Sequence, residues 1–176
     1  QHIIEVGSGY SSALFMDFVR NYAQYHVEYT IIDPYPSILY KILRDDDFDY
    51  VNILENKLQS IDINFFRSLK SGDVLFIDSS HVSKVGSDVN RLLFDVLPLL
   101  EDGVYIHFHD IFYPFEYPKN WIYEGRSWNE AYLLRAFLQC NYKYNIILFN
   151  SFFCQFYQEM MQKHMPLAMQ NSGASI

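Results

Sequence analysis

The chain has 176 residues and a mass of 20.9 kDa, a size that favours one domain. Half of its residues are hydrophobic and 19% are charged, a globular balance that excludes wholesale disorder. Thirteen basic residues stand against 21 acidic ones, which gives a net charge of −8. Because the sequence has no basic cluster, we expect no nucleic-acid partner.

The sequence also bears on the compartment. No apolar run approaches the ~20 residues of a membrane span, and the N-terminus lacks the basic region of a signal peptide. Cys140 and Cys154 are too few for a disulfide framework or a four-cysteine zinc site. We therefore expect reduced cysteines, a cytoplasmic protein and no membrane partner. Because Gln1 opens the sequence and residues 174–176 look like the start of a strand, we expect a core excised from a longer polypeptide.

Short apolar runs alternate with segments of helical periodicity along the whole chain. In chain order, the predicted elements are a strand at 3–6, a helix at 13–25, strands at 29–33 and 50–54 flanking a helix at 38–43, a helix at 65–69, a strand at 74–78, a helix at 88–99, a strand at 104–109, a helix at 129–139, a strand at 144–150 and the start of a seventh strand at 174–176. The acidic residues 45–47 are predicted to form a solvated loop. This alternation predicts one α/β domain over residues 1–176, a Rossmann-like, doubly wound and mostly parallel sheet flanked by helices.

Acidic residues gather at the predicted carboxyl ends of the strands. In open α/β sheets, ligands bind outside these ends, near the switch in strand order. Four of the five ends carry a carboxylate, from Glu5, Asp33, Asp78 and Asp110. We therefore expect the functional site at this edge of the sheet.

The first strand is followed by a glycine-rich turn, Gly7-Ser8-Gly9. It departs from the dinucleotide fingerprint because Ser12 replaces the third glycine, which disfavours NAD and FAD. Asp33 ends the second strand 24 residues after Gly9, where an acid can accept hydrogen bonds from ribose hydroxyls. Taken separately, an ordinary βα turn and a turn-forming Asp before Pro34 explain these residues equally well. Together they favour a nucleoside ligand.

The motifs E-V-G-x-G after strand one and I-D-P-Y-P after strand two resemble those of class I S-adenosylmethionine-dependent methyltransferases. The stretches F-I-D-S-S-H and H-F-H-D-I-F are similar to the branch called methyltransferase domain 24. The resemblance covers nearly the whole chain and implies a seven-stranded sheet with an antiparallel last strand. It also implies an enzyme that methylates a hydroxyl of a sugar or small molecule, with a small-molecule or glycan acceptor as its partner.

The resemblance implies roles for individual residues in binding S-adenosylmethionine. Glu5, Gly7 and Gly9 would line the methionine and ribose, and Asp33 would hold the ribose hydroxyls. The remaining predicted cofactor-binding residues are Ser8, Asp78 and four residues near the adenine, namely Pro34, Tyr35, Asn56 and Gln59.

The ends of strands four and five offer a metal site and a base. Oxygens from Asp78 and Asp110 with the His109 imidazole nearby suit a divalent ion such as Mg²⁺ or Mn²⁺, although His109 favours softer ions. In metal-dependent relatives acids at these positions bind Mg²⁺, and the resemblance makes His81 the general base. In the alternative interpretation, Asp78 caps a turn and His109 packs in the core. His107 is expected to be a packed or supporting residue.

Several alternatives stay open from the sequence. The aromatic segment 112–128 is either an acceptor-binding lid or simple packing, and Arg126 pairs with an acidic substrate or with Glu130. The methionine-rich residues 160–169 form a hydrophobic cover or a contact between copies in a homo-oligomer. Two rival functions are a non-catalytic S-adenosylmethionine-binding domain and a nicotinamide-dependent oxidoreductase, which Ser12 and Glu5 disfavour.

Overall fold

The structure is a computed structural model that describes residues 1–22, 26–170 and 173–176. The chain divides into two compact units. The first consists of Gln1–Ser80 and Lys84–His107, and the second of His81–Ser83 and Phe108–Ile176. The last part of the predicted first helix, residues 23–25, lies outside the described residues.

A five-stranded sheet organises the first unit. Its strands are β1 (His2–Val6), β2 (Glu28–Ile32), β3 (Val51–Leu54), β4 (Val74–Ile77) and β5 (Tyr105–Phe108), in the order β3-β2-β1-β4-β5. β1 pairs in parallel with both β2 and β4, and β2 pairs in parallel with β3. The order reverses between β1 and β4, so the predicted Rossmann-like α/β fold is confirmed.

Helical segments connect these strands at the predicted places. They are α1 (Tyr10–Tyr22), α2 (Leu39–Ile42) and α3 (Asp88–Arg91), with α3 continuing as a π-helical turn Leu92–Val96 and a 3₁₀ turn Leu97–Leu99. Three further 3₁₀ segments span Asp45–Asp49, Leu58–Ser60 and Ile63–Ser68. The predicted helix at 88–99 is therefore one helical run whose hydrogen-bond pattern changes along its length.

The two faces of the sheet differ in their covering. On one face Ile3, Tyr29 and Ile31 pack with Met16 of α1 and Leu39 of α2. On the other face the alternate strand residues are fully or almost fully buried, among them Ile4, Leu75 and Ile77. β4 was expected to be covered on both faces, but Val74 and Phe76 stay half-buried. Phe76 instead stacks on His107, with ring centroids 4.5 Å apart, so His107 is a packed residue as expected.

The acidic residues 45–47 do not form the predicted solvated loop. Asp47 is buried and hydrogen-bonds to Arg20 of α1, and its second carboxylate oxygen accepts the backbone N–H of Arg44 at 2.8 Å. Asp46 also pairs with Arg20, at 3.0 Å, from an exposed position. The charge run is structured because the end of α1 supplies a cation against which Asp47 can be buried.

The second unit is mainly helical. It contains α4 (Lys119–Tyr123), α5 (Glu130–Leu138), α6 (Asn150–Phe156), α7 (Gln158–His164) and a 3₁₀ turn, Pro166–Met169. Phe108 and Ile176 exchange backbone hydrogen bonds of 2.8 and 3.1 Å, and His109 and Ser175 form an antiparallel bridge. Residues 174–176 thus pair antiparallel with the end of β5 through an isolated bridge and not as a strand, and the described residues form five strands, not the seven that the resemblance implied. Within the described residues, no helix combines the length and apolar character needed to cross a bilayer.

The predicted strand at 144–150 is wrong. Residues 144–149 have no regular structure, and Asn150 already begins α6. Ile146, Ile147 and Leu148 have the side chains of a strand but remain exposed. A strand needs a neighbour to satisfy its backbone, and in the described part of the chain these residues form no strand ladder, although the Asn150 N–H donates to the Ser175 carbonyl. β-Propensity without a ladder does not make a strand.

Gly7 and Gly9 provide a test of how tightly the ends of β1 and β4 pack. Gly7 has φ +88°, and a Cβ there would lie 1.9 Å from the Asp78 carbonyl oxygen, whereas a Cβ on Gly9 would meet nothing within 4 Å. We expect Gly7→Ala to lower the free energy of unfolding by at least about 2 kcal/mol, from backbone strain plus the clash. Gly9→Ala, the matched control, should cost less than about 1 kcal/mol. Urea unfolding followed by circular dichroism measures both; equal losses would contradict the packing argument.

Candidate functional site

The carboxyl ends of three neighbouring strands are held side by side by the sheet ladder. The Asp33 N–H donates to the Leu54 carbonyl at 3.1 Å, the Gly7 N–H to Ile32 at 3.0 Å and the Asp78 N–H to Val6 at 2.8 Å. Because each bond continues a parallel register beyond the last strand residue, the turns after β1, β2 and β4 leave the sheet together. The expected convergence of Gly7, Asp33 and Asp78 is therefore present.

A cleft of about 700 Å³ opens at this edge, entirely within the first unit. It is lined by seven of the ten residues predicted to bind the cofactor: Gly7, Ser8, Asp33, Pro34, Tyr35, Gln59 and Asp78. Two lysines and an acid that the sequence reasoning missed, Lys57, Lys84 and Asp88, line it as well. The lysines come from loops and Asp88 begins α3, and such charged residues look merely solvated in the sequence, so no local signal marked them.

Asp33 has its geometry fixed by its neighbours in the cleft. Its Oδ2 accepts a hydrogen bond from the Ser8 hydroxyl, and its Oδ1 accepts the Tyr35 backbone N–H at 2.7 Å. The second bond is the turn that a polar residue before Pro34 was expected to make. The turn-forming and ligand-binding interpretations are therefore compatible, because a carboxylate has about four acceptor positions and these two bonds use only some of them.

Three predicted cofactor residues do not line this cleft. Gly9 instead lies directly before α1, where its N–H donates to Ser12 Oγ at 3.0 Å. Asn56 is exposed in a turn closed by its N–H on the Leu54 carbonyl, at 2.7 Å. Glu5 lies on the opposite face of β1, where its side chain accepts hydrogen bonds from the Tyr29 and Ser11 hydroxyls. The period of two along a strand explains the separation of Glu5, since Val6 and Glu5 point to opposite faces.

Glu5 belongs to a second, mainly apolar cleft of about 780 Å³, lined by α1 and by Ile3, Tyr29, Val74 and Phe76. Burial raises the pKa of Glu5 from 4.5 to about 7, although hydrogen bonds from Tyr29 and two serines lower it. Burial and the facing carboxyl also raise the pKa of Tyr29 well above its ordinary value. Near neutral pH, Glu5 is therefore protonated, and so uncharged, in a fraction of the molecules.

His81, the predicted base, lies in the second unit and is buried. Its Nδ1 is 2.7 Å from Oε2 of Glu130, and its ring packs against Trp128 with the centroids 4.2 Å apart and the planes tilted by 37°. The His81 carbonyl accepts the N–H groups of Asn129 and Glu130, at 3.0 and 3.2 Å. No local pattern indicated this pair, because its members are 49 residues apart in the chain.

Arg126 does not pair with Glu130. Its guanidinium contacts Glu124 at 3.2 Å and lies over the rings of Trp121 and Trp128, at 4.2 and 5.1 Å. The aromatic segment packs on itself by edge contacts, including Trp121 on Trp128 at 5.2 Å and Phe112 on Trp121 at 5.1 Å. The aromatic side chains of this segment therefore pack against one another, as one of the two interpretations predicted. A role of the segment in acceptor binding stays a prediction.

The predicted metal ligands do not form a recognisable ion site. In the ranges that the structure describes, no group of three or more His, Cys, Asp and Glu side chains is arranged to hold a metal ion. His109 Nδ1 lies 3.4 Å from Asp110 Oδ1, and Asp110 has a left-handed backbone with φ +57°. The antiparallel bridge from His109 to Ser175 fixes this local geometry, which sequence spacing alone did not predict. The ligand set Asp78, His109 and Asp110 therefore receives no support.

A parallel sheet with a switch point, a glycine turn after β1 and an acid after β2 defines a Rossmann-like protein with a cleft at the carboxyl ends of its strands. Comparison with known proteins identifies the family. A model of a methyltransferase domain matches residues 4–111, and the chain belongs to this family, a branch of the class I S-adenosylmethionine-dependent methyltransferases.

Comparison with individual proteins gives no information about the activity of this chain. An uncharacterized protein of Archaeoglobus fulgidus is 34% identical over 70 residues, which is 39% of this chain. The chain spans 30% of the length of that relative. No solved structure gives a significant match.

The raised pKa of Glu5 predicts a pH-dependent cost to stability. Between pH 4.5 and about 7 the unfolded chain loses the Glu5 proton while the folded chain keeps it, so stability falls as pH rises through this window. Above it the cost is constant, at about 3 kcal/mol. Glu5→Gln removes the titration. We therefore expect the stability of the variant, measured relative to the wild type, to be greater at pH about 8 than at pH about 5.

Urea unfolding at the two pH values measures this gain, with the exposed Glu28→Gln as the control. A Glu5→Gln effect that does not change with pH would show that Glu5 is ionised in the folded protein.

Proposed function

We propose that the chain is the catalytic core of an S-adenosylmethionine-dependent O-methyltransferase that acts on a hydroxyl of a sugar or another small molecule. The observation that carries this proposal is the cleft in which Gly7, Ser8, Asp33 and Asp78 converge, in a chain of a methyltransferase family. The acceptor class rests on the resemblance to sugar and natural-product enzymes and on the chemistry of His81.

The donor set of the cleft fits the cofactor. Asp33 suits the ribose hydroxyls, because its carboxylate lies at the end of β2 and is oriented by Ser8 and Tyr35. Lys57 and Lys84 complement a carboxylate, while Asp78 complements a cation. When bound, S-adenosylmethionine supplies a methyl group activated by its sulfonium sulfur. The zwitterionic methionine part thus meets both signs of charge. The third glycine of a diphosphate-binding fingerprint is absent, because Ser12 occupies its position.

His81 is assigned to the proton transfer. A sugar hydroxyl is a poor nucleophile at neutral pH, and an imidazole is the side chain best matched to accept its proton there. The pair of His81 with Glu130 supports the assignment because it orients the ring. Asp78, His109 and Asp110 do not fit a metal centre as a group, and the proposal routes no step through an ion.

A cytoplasmic location is a further part of this proposal. It rests on Cys140 and Cys154, which are both free cysteines, Cys140 at an exposed position. Unpaired thiols are usual in reducing compartments.

Asp33 gives the first test of the cleft. We expect Asp33→Asn to weaken binding of S-adenosylhomocysteine by roughly 10- to 100-fold, because hydrogen bonds to a charged group contribute about 1.5–3 kcal/mol. The amide still accepts the Tyr35 N–H, so the turn should persist. Isothermal titration calorimetry measures the affinity, with Asp95→Asn, outside the cleft, as the control. No binding by the folded wild type would end the proposal, and equal binding by both variants would remove the role of Asp33.

His81 gives the second test. We expect His81→Ala to bind S-adenosylhomocysteine like the wild type but to turn over ~10²–10⁴-fold more slowly, the usual contribution of a general base. Methyl transfer to a panel of sugars and natural-product alcohols is measured by release of S-adenosylhomocysteine. His164→Ala, which changes an exposed histidine of α7, is the control. Cofactor binding without transfer to any acceptor by the wild type would favour the non-catalytic alternative.

A further inference from the structure

Glu130 is an acid in an unusual place. Glu130 lies at the start of α5 and is fully buried. It contacts His81, of whose surface only 4% is exposed to solvent. The two are 2.7 Å apart, a hydrogen-bond distance. Burying a carboxylate costs several kcal/mol unless the group is paired and hydrogen-bonded. The contact with His81 provides such a pairing.

The contact determines where the imidazole carries its proton. An ionised carboxylate has no hydrogen to donate and can only accept. The His81 nitrogen that faces Glu130 is Nδ1, so an ionised carboxylate at this contact requires the hydrogen on Nδ1. In a neutral ring the lone pair then lies on Nε2.

The backbone and the stacking partner restrain the same ring. His81 has φ +56°, a left-handed conformation that costs a non-glycine residue roughly 1–3 kcal/mol. The two N–H groups of residues 129 and 130 both donate to its carbonyl, and the Trp128 ring packs against its imidazole at a tilt of 37°. Three consecutive residues thus bind the backbone, the ring face and the Nδ1 edge of one histidine.

We propose that Glu130 is a positioning residue, which holds His81 with the hydrogen on Nδ1 and thereby presents Nε2 as the base. This inference rests on the proposed function. In the transfer step the acceptor oxygen forms its bond to the methyl carbon, the carbon–sulfur bonding pair returns to sulfur, and the hydroxyl proton passes to Nε2. The resulting imidazolium is stabilised by Glu130 and later releases the Nε2 proton to solvent. Glu130 itself touches no reacting atom.

The first measurement needs no variant. Long-range ¹H–¹⁵N correlation spectra of protein labelled with ¹⁵N-histidine report the tautomer, and the spectrum of His81→Ala identifies the His81 signals. At pH about 8, where an unperturbed imidazole is neutral, we expect the hydrogen on Nδ1. A hydrogen on Nε2, or on both nitrogens, would overturn the proposal.

The second measurement uses Glu130→Gln, which keeps the shape of the side chain but removes its charge. We expect a loss of the Nδ1–H tautomer and a fall in turnover of ~10²–10⁴-fold, as expected for a base held in the wrong tautomer. Glu130→Asp should restore part of the turnover, and S-adenosylhomocysteine affinity should not change. Glu124→Gln, an exposed acid in the same unit, is the control.

The outcomes separate the two proposals. Unchanged turnover and an unchanged tautomer in Glu130→Gln would overturn the role of Glu130. Failure of the wild type to bind S-adenosylhomocysteine or to transfer methyl groups would overturn the proposed function, while the tautomer spectra still decide whether Glu130 holds the His81 proton.

Discussion

The close approach of the β1 and β4 ends is the constraint on which the cleft depends. Gly7 leaves β1 with a positive φ directly against the Asp78 carbonyl, where no side chain fits. The hydrogen bonds from Asp78 to Val6 and from Gly7 to Ile32 then bind three strand ends into one row. Because the register of a parallel ladder cannot shift by one residue without turning every side chain to the other face, Asp33 and Asp78 are fixed on one edge.

Two buried acids of this chain show how surroundings decide what a carboxyl does. Glu5 meets hydroxyl donors in an apolar face of the sheet, and burial raises its pKa to about 7. Glu130 meets an imidazole instead, which can take up positive charge. The first environment favours the neutral acid, whereas the second places the carboxyl against a group that can carry the opposite charge. Position at a strand end is therefore less informative about chemistry than the groups on the facing elements.

The sequence predicted the features that depend on neighbouring residues. The glycine turn, the Asp33 end of β2 and the order of strands and helices all follow from local pattern, and they define the cleft. Prediction from the sequence failed where a residue distant along the chain determines the local structure or burial. Asp47 is buried because Arg20 reaches it, Ile146–Leu148 stay irregular for lack of a ladder, and Glu5 lies on the other face from the cleft. Lys57 and Lys84 line the cleft although nothing in their local sequence distinguishes them from solvated residues.

The free energies of surface and buried ion pairs explain why Glu130 pairs with His81 and not with Arg126. The spacing of Arg126 and Glu130 suggested an i,i+4 pair, which on a helix surface contributes only about 0.3–0.5 kcal/mol. Arg126 precedes α5, so the helical geometry on which that estimate depends does not exist. Removing the partner of a buried charge costs about 3–5 kcal/mol, so the buried carboxyl has far more to gain from a partner than an exposed arginine has. The imidazole of His81 fills that place, while Arg126 is accommodated on the faces of two tryptophans.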